Sequence, residues 1–430
     1  MSKYQNDRQF EDDVRRTADA VFEIPAGGCK SRLFKKGKSH IEIDGVAESR
    51  YVTHLLMATT STKFQKVKED VEKLVFAASK ERQRGVAVKS WMIVEKTPEA
   101  PHTTHAREHD VELLSMRQFR ERFFDGRDYV MKREHAVFGS ARDLDTESIT
   151  VAADEFIEPP MTNLETRLPI AFDDLLQKVA QGFTLVLLAP FGSGKSLTVR
   201  QLWFALRDKY LSAEIDCVPV AINLREHWGA QYADEIFLRH GRSLSLHREG
   251  DLTVAWRTGS LALLIDGFDE VASQGVVQIE KSEVLREIRR TALAGVKEMV
   301  LKSPDATGIV LAGRDHYFDN DAEMLHALGL RSHKLVRVRI EEFDEDRAAQ
   351  YLKRKGFSSP LPDWLPRRPL LLGYLARRQL LQDVLSIDFS QGRARAWVDL
   401  VNLICKREAE HERGCDGRGH RASGPRDTVA

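Results

Sequence analysis

The sequence predicts an α/β chain of two units: a small α/β unit first, then a parallel sheet whose strands alternate with helices, closed by a helical segment. Three observations support this. From residue 171 onward, short apolar runs alternate with longer amphipathic stretches at the spacing of a parallel sheet. Two of those runs end abruptly in polar chemistry. Leu185-Val-Leu-Leu-Ala-Pro-Phe-Gly-Ser-Gly-Lys195-Ser196 breaks into a glycine-bearing loop, and Leu261-Ala-Leu-Leu-Ile-Asp266-Gly-Phe-Asp269-Glu270 ends in acids. Ahead of both, strand-like stretches at 40–44, 51–58 and 86–94 surround a Lys-rich helix.

The elements follow in order. Phe10, Val14, Ala18 and Val21 fall on one helical face, which predicts an amphipathic helix over 6–21. His40-Ile-Glu-Ile-Asp44 alternates as a strand, Tyr51–Ala58 is an apolar strand, Phe64–Ser79 a two-faced helix, and Val86–Val94 a third strand. This unit is assigned 1–138. Residues 139–166, rich in Asp, Glu, Thr and Pro, read as a linker. A core over 167–341 then holds a helix at 171–181, a strand at 183–189, the loop and a helix at 195–208. Further strands are predicted at Cys217–Leu224, Leu261–Ile265, Gly308–Ala312 and His333–Ile340. From 342 to 410 the pattern is helical, with helices at 344–355, 369–383 and 395–410. Residues 411–430 hold four glycines and almost no large apolar residue, which predicts a disordered tail or a helical domain cut short by truncation or frameshift.

Composition bounds the function. A chain of 430 residues can hold two or three cores. Lys plus Arg equals Asp plus Glu at 65 each, so net charge offers no argument for a nucleic-acid or membrane surface. No apolar run approaches the roughly 18 to 20 residues of a spanning helix, and the polar N-terminus is unlike a secretory signal. Cys29, Cys217, Cys405 and Cys415 lie far apart, which suggests neither a disulfide framework nor a zinc site. The expectation is a cytoplasmic protein with reduced thiols and no membrane partner.

The loop and the acidic strand carry the chemistry. A glycine loop at a helix start lets successive backbone N–H groups surround a phosphate. Of the pattern G-x-x-x-x-G-K-S/T, Gly194, Lys195 and Ser196 are present, and Ala189 stands at the first glycine. Gly192, Ser193, Gly194, Lys195, Ser196 and Leu197 form the candidate binding segment. Its amides suit the β-phosphate, Lys195 the β and γ groups, and the Ser196 hydroxyl Mg2+. Asp266 ends its strand where a carboxylate holds Mg2+ through water. Asp269 and Glu270, further on, can orient or activate an attacking water, and either one can face the γ-phosphate. Acids after a strand are also common helix caps. Taken together, the pair predicts that the chain binds a nucleoside triphosphate with Mg2+.

Leu-Leu-Ile-Asp266-Gly-Phe-Asp269-Glu270 resembles the Walker B signature of the NACHT group of STAND P-loop ATPases. The resemblance covers roughly 165–400. Val218–Arg225 resembles the strand after the P-loop helix of that group, and Ile309–Asp315 its sensor strand, whose arginine would be Arg314. Val338–Glu345 resembles the approach to the helical lid. Trp364-Leu-Pro-Arg-Arg-Pro369 resembles the lid motif whose proline packs near adenine. Arg314 also reads as a surface arginine, and Pro369 as a first-turn proline. The resemblance implies slow, switch-like ATP hydrolysis in prokaryotic defence or signalling, with self-association on activation.

The N-terminal order, with Glu11 on a helix and Asp44 ending a strand, resembles the Mrr-like restriction-endonuclease fold. That family holds its metal with an aspartate and the first residue of a Glu-x-Lys triplet. Here Met57 and Thr59 stand at the glutamate and lysine positions, and a thioether cannot replace a carboxylate on a hard cation. Lys63 or Lys66, with Glu11 or Glu48, would have to rescue the site. The expectation is an inactive module of that fold, binding DNA or a protein partner through residues 1–138. An ATP-dependent nuclease is the alternative.

Overall fold

The structure is a computed structural model and describes residues 6–61, 63–136, 156–271, 282–331 and 333–416. It is α/β, with two mixed sheets. The first unit contains α1 (Asp7–Val21), β1 (Lys30–Lys36), β2 (Ser39–Glu48), β3 (Val52–Thr59), α2 (Phe64–Gln83), β4 (Ala87–Val94), α3 (Ala100–Glu108) and β5 (Val111–Ser115). Its sheet runs β1-β2-β3-β4-β5, antiparallel as far as β3 and parallel from there to β5. One face is covered by α1, whose Phe10, Val14 and Ala18 bury with Leu56 and Trp91. The other is covered by α2, where Val67, Val71 and Leu74 meet Leu55, Met57 and Met92.

Two features of this sheet differ from expectation. β1 was not foreseen, because Lys-Ser-Arg-Leu-Phe-Lys-Lys buries only Phe34 and lacks an apolar pattern. Backbone pairing with β2 holds it, and its lysines suit an edge that must not recruit another chain. Asp44, expected to end a strand, lies inside β2. The strand continues because Gly45 to Glu48 pair with Leu56 to Thr53 of β3.

After α4 (Met116–Glu121) and α5 (Gly126–His135), the second sheet takes its strands from β6 (Met161–Asn163), β7 (Thr184–Ala189), β8 (Val218–Asn223), β9 (Leu261–Asp266), β10 (Ile309–Arg314) and β11 (Leu335–Ile340). Their order is β6-β11-β7-β10-β9-β8, and only β6 is antiparallel to its neighbour. The intervening helices are α6 (Phe172–Ala180), α7 (Lys195–Leu211), α8 (Ala233–Ser243), α9 (Asp251–Arg257), α10 (Ser282–Ala292), α11 (Ala294–Lys302) and α12 (Asp321–Ala327). Leu185, Val186, Leu187 and the whole of β9 are buried, as befits strands covered on both faces.

The segment expected as a linker ends in structure. Met161–Asn163 pairs with β11, a strand too short for its period to be read. Residues 139–155 of that expected linker include none of the described ones. The C-terminal helices α13 (Glu345–Arg354), α14 (Pro369–Arg377), α15 (Leu381–Leu385) and α16 (Arg393–Asp416) enclose a core that includes Phe343, Leu352, Trp364, Leu372, Leu375 and Leu400. The single helix expected at 369–383 is broken: Gln379 takes a φ of 58° and Leu380 N–H bonds the Leu375 carbonyl, a left-handed helix stop made without glycine. Likewise, α16 runs to Asp416, into the expected tail. Residues 417–430 lie outside the described ones. No helix among the described residues is long and apolar enough to cross a membrane.

The first unit, assigned to 1–138 from sequence, ends in a helix that serves the second sheet. β8 is an edge strand, so the outward N–H and C=O of Ala221 need partners. Tyr129 Oη accepts from Ala221 N at 3.1 Å, and Arg133 Nε donates to the Ala221 carbonyl at 3.0 Å, both from α5. Tyr129 Oη also lies 3.0 Å from His240 Nε2. Two buried side chains thus stand where another strand would pair. Tyr129→Phe keeps the shape but strips the Ala221 N–H of its partner, so it is expected to destabilise the fold by about 1–3 kcal/mol. Denaturant unfolding measures this, and an unchanged midpoint would contradict the bonding described.

Candidate functional site

The polar residues picked out in the second unit gather at the C-terminal ends of β7, β9 and β10. In the register, Ala189 sits beside Arg314, and Asp266 lies between Ala312 and Asn223. Ala189 is the buried last residue of an extended strand and has no positive φ, so a methyl group is accommodated where the loop pattern has glycine. The glycines that remain are needed. Gly192 and Gly194 adopt φ of 79° and 90°, and Gly194 caps α7 in the left-handed conformation. Lys195 therefore opens α7 with that helix's free amides facing the loop.

Asp269 is the hub. Its Oδ1 lies 3.3 Å from Lys195 Nζ and accepts from Arg314 N–H at 3.2 Å, and its Oδ2 takes Arg314 Nε at 2.9 Å. The turn that delivers it is fixed by Gly267 and Phe268, whose N–H groups both bond the Ala312 carbonyl. Phe268 is fully buried over Gly313, where an added Cβ would meet its ring at 2.2 Å. The sequence Ala-Gly-Arg is thereby tied to Asp-Gly-Phe-Asp.

Asp266 is buried and hydrogen-bonded to Ser196. Burial pushes its pKa up to about 6, against the pull of Lys195. Among the described residues, its Oδ1 has no hydrogen-bond partner, and neither does the fully buried Ser193 Oγ. Ser196 is nearly buried at the start of α7, and Leu197 half-buried beside it. An orphaned carboxylate oxygen beside a serine hydroxyl is a fitting donor set for a hard divalent cation. Glu270 is half-buried, with its side chain packed near Gly267.

The C-terminal helical segment meets the loop directly. Pro369 opens α14 at its first turn, as its reading as a first-turn proline expects, and also faces Gly194. Leu370 N–H donates to the Gly192 carbonyl at 3.2 Å, and Arg368 bonds Glu342 at 2.7 Å and the Phe191 carbonyl at 3.5 Å. Arg314 in turn lies over the Phe191 ring at 5.2 Å. Arg368 and Leu370 were not picked out from sequence, and nothing local marks them. Asn223 was also missed, although a polar residue ending the buried run Val-Pro-Val-Ala-Ile was a signal. It sits beside Asp266 and is braced by Glu226 at 3.0 Å.

In the first unit, Asp44 accepts from Ala58 N–H at 2.8 Å, and its backbone carbonyl takes Arg15. Met57 is buried in the apolar core under α2, and Thr59 is also buried. Glu48 pairs with Arg32. Lys66 and Lys73 both hold Asp70, which is fully buried and has one oxygen without a partner among the described residues. Glu11 pairs with Arg15 at 3.6 Å. Among the described residues, neither Asp44 nor Glu11, Glu48 or Asp70 belongs to a group of three His, Cys, Asp or Glu side chains whose ligand atoms come together as a cation would need.

Burial, helped by Glu11 and Asp70, raises the Asp44 pKa to about 6 despite the Ala58 N–H. Between the ordinary carboxylate value and about 6, the unfolded chain has released a proton that the folded chain still holds, so stability falls as pH rises through that window. Asp44→Asn, which keeps the acceptor for Ala58, is expected to stabilise the protein at about pH 8, by at most about 3 kcal/mol, and to be near neutral at about pH 4. Urea unfolding at both pH values is the check, and a loss at the higher pH would contradict the burial argument. A comparison with models of known protein families finds none that matches this chain, and a search of curated proteins finds no similar sequence.

Proposed function

We propose that the chain is a nucleotide switch of the STAND/NACHT kind, binding ATP with Mg2+ at the C-terminal end of its second sheet and hydrolysing it slowly. One observation carries the reading: the buried Asp269 holds both Lys195 and Arg314 beside the orphaned Asp266 oxygen. A P-loop lysine and a strand-end arginine converging on one carboxylate are poised to exchange that partner for phosphate.

The residues then divide the work. The amides from Gly192 to Leu197 cradle phosphate oxygens at the start of α7. Lys195 supplies a point charge, and Ser196 and Asp266 are the residues that would hold Mg2+, whose part is to neutralise charge on the phosphates. Asp269 is committed to positioning Lys195 and Arg314, which leaves Glu270 to orient the attacking water. A triphosphate that draws Lys195 and Arg314 away releases Asp269 and moves Phe191 with its arginine. The Leu370 and Arg368 bonds to Gly192 and Phe191 pass that movement to the lid. For the first unit, the interaction-module reading is preferred over the nuclease, because Met57 is spent on the core and Lys66 is spent on Asp70.

Lys195→Ala is expected to abolish measurable ATP binding in calorimetry with Mg2+, and unchanged affinity would sink the proposal. Glu270→Gln is expected to keep ATP binding while phosphate release falls by about 100-fold or more. Equal release in this variant would move the water-orienting role to Asp269.

A further inference from the structure

The last turn of α3 and its C-cap read His105-Ala-Arg-Glu108-His109, and nothing in the proposed nucleotide site involves them. Positions separated by three and four residues share a helix face. One ligand atom from each of His105, Glu108 and His109 lies within 4.8 Å of the other two. Two further details suit these groups to holding an ion.

The first concerns tautomers. His109 Nδ1 lies 2.9 Å from the His105 backbone carbonyl. A carbonyl only accepts, so Nδ1 carries the proton and Nε2 keeps its lone pair exposed. That is the arrangement in which a histidine serves as a metal ligand, oriented by a backbone acceptor on its other nitrogen. The second concerns His105. Its Nε2 is buried and has no hydrogen-bond partner among the described residues. The ring is held edge-on by Phe64 at 5.6 Å, and Phe64 is itself stacked on His102 at 5.1 Å. The two candidate imidazoles lie with centroids 4.6 Å apart. Glu108 is exposed and makes no ion pair among the described residues. All three stand at the C-terminal end of a helix, where the aligned peptide dipoles favour a cation.

We propose that His105, Glu108 and His109 form a binding site for a divalent transition metal of the zinc class, with two nitrogen donors, one oxygen donor, and the remaining coordination open to water. Two imidazoles and one carboxylate select Zn2+, Co2+, Ni2+ or Cu2+ over Mg2+ and Ca2+, which prefer all-oxygen shells. The ion fixes the end of α3 and shields the carboxylate from the adjacent helix terminus.

The test is a Co2+ titration of the full chain, followed by visible absorption, with excess Mg2+ present to occupy oxygen sites such as Ser196 and Asp266. The expected result is one Co2+ per chain, displaced by Zn2+, with ligand-field bands but no thiolate charge-transfer band. His109→Gln and Glu108→Gln change exposed side chains, so folding is retained, as circular dichroism would verify. Each is expected to weaken Co2+ binding by about tenfold or more, and His105→Gln with His109→Gln together to remove it. No Co2+ uptake by the wild type, unchanged affinity in the variants, or a thiolate band pointing to a cysteine would each overturn the proposal.

Discussion

The second unit is organised around the Asp269 carboxylate, buried between Lys195 and Arg314. Removing a carboxylate from water is costly unless its lone pairs are met, and here one ammonium, one guanidinium and one backbone N–H meet them. The three partners come from the start of α7 and the end of β10, and Asp269 follows β9. Meeting that one requirement therefore fixes the relative positions of three strand ends. Gly313 belongs to the same constraint, because any side chain there would push Phe268 out and move the turn that delivers Asp269.

A buried ion cluster is weak evidence for stability in itself, since apolar packing of the same volume often does as well. Under the proposed function, the cluster makes more sense as a set of charges held ready for phosphate. Asp266 points the same way: an orphaned, desolvated oxygen is a liability in the empty fold and an asset only when a cation arrives. Local destabilisation of this kind gathers where a protein is built to bind.

Legibility in the sequence followed physical cause. The central strands of the second sheet were readable because burial on both faces demands continuous apolar runs such as Leu261–Ile265. The loop was readable because positive φ at Gly192 and Gly194 demands glycine. Elements held by backbone pairing alone were not: β1 is charged, and β6 has three residues. The stop at Gln379 uses a residue with no preference for that conformation, so composition could not announce it. At the candidate site, strand-end residues were legible one by one. Their meeting at Asp269 was not, because proximity between segments about 45 residues apart or more leaves no local trace. The same holds for Leu370, an ordinary apolar residue whose relevance lies in its backbone N–H.

The boundary between the units follows from the edge of β8. A parallel sheet that ends in an exposed strand must cover its free backbone groups, and this chain does so with Tyr129 and Arg133 of α5. The cover is supplied by the segment that also carries α4, and α4 ties the first unit in. Arg120, buried, bonds both Asp13 of α1 and the Thr258 carbonyl after α9. The β8 edge is one strand away from Asp266, since Asn223 is its register partner. A shift of β9 at its acidic end therefore reaches α5 across a single strand, and α5 is covalently continuous with the first unit. Under the proposed function, coupling between nucleotide state and the first unit would need no long pathway in this arrangement, only a change in how firmly α5 seats on β8.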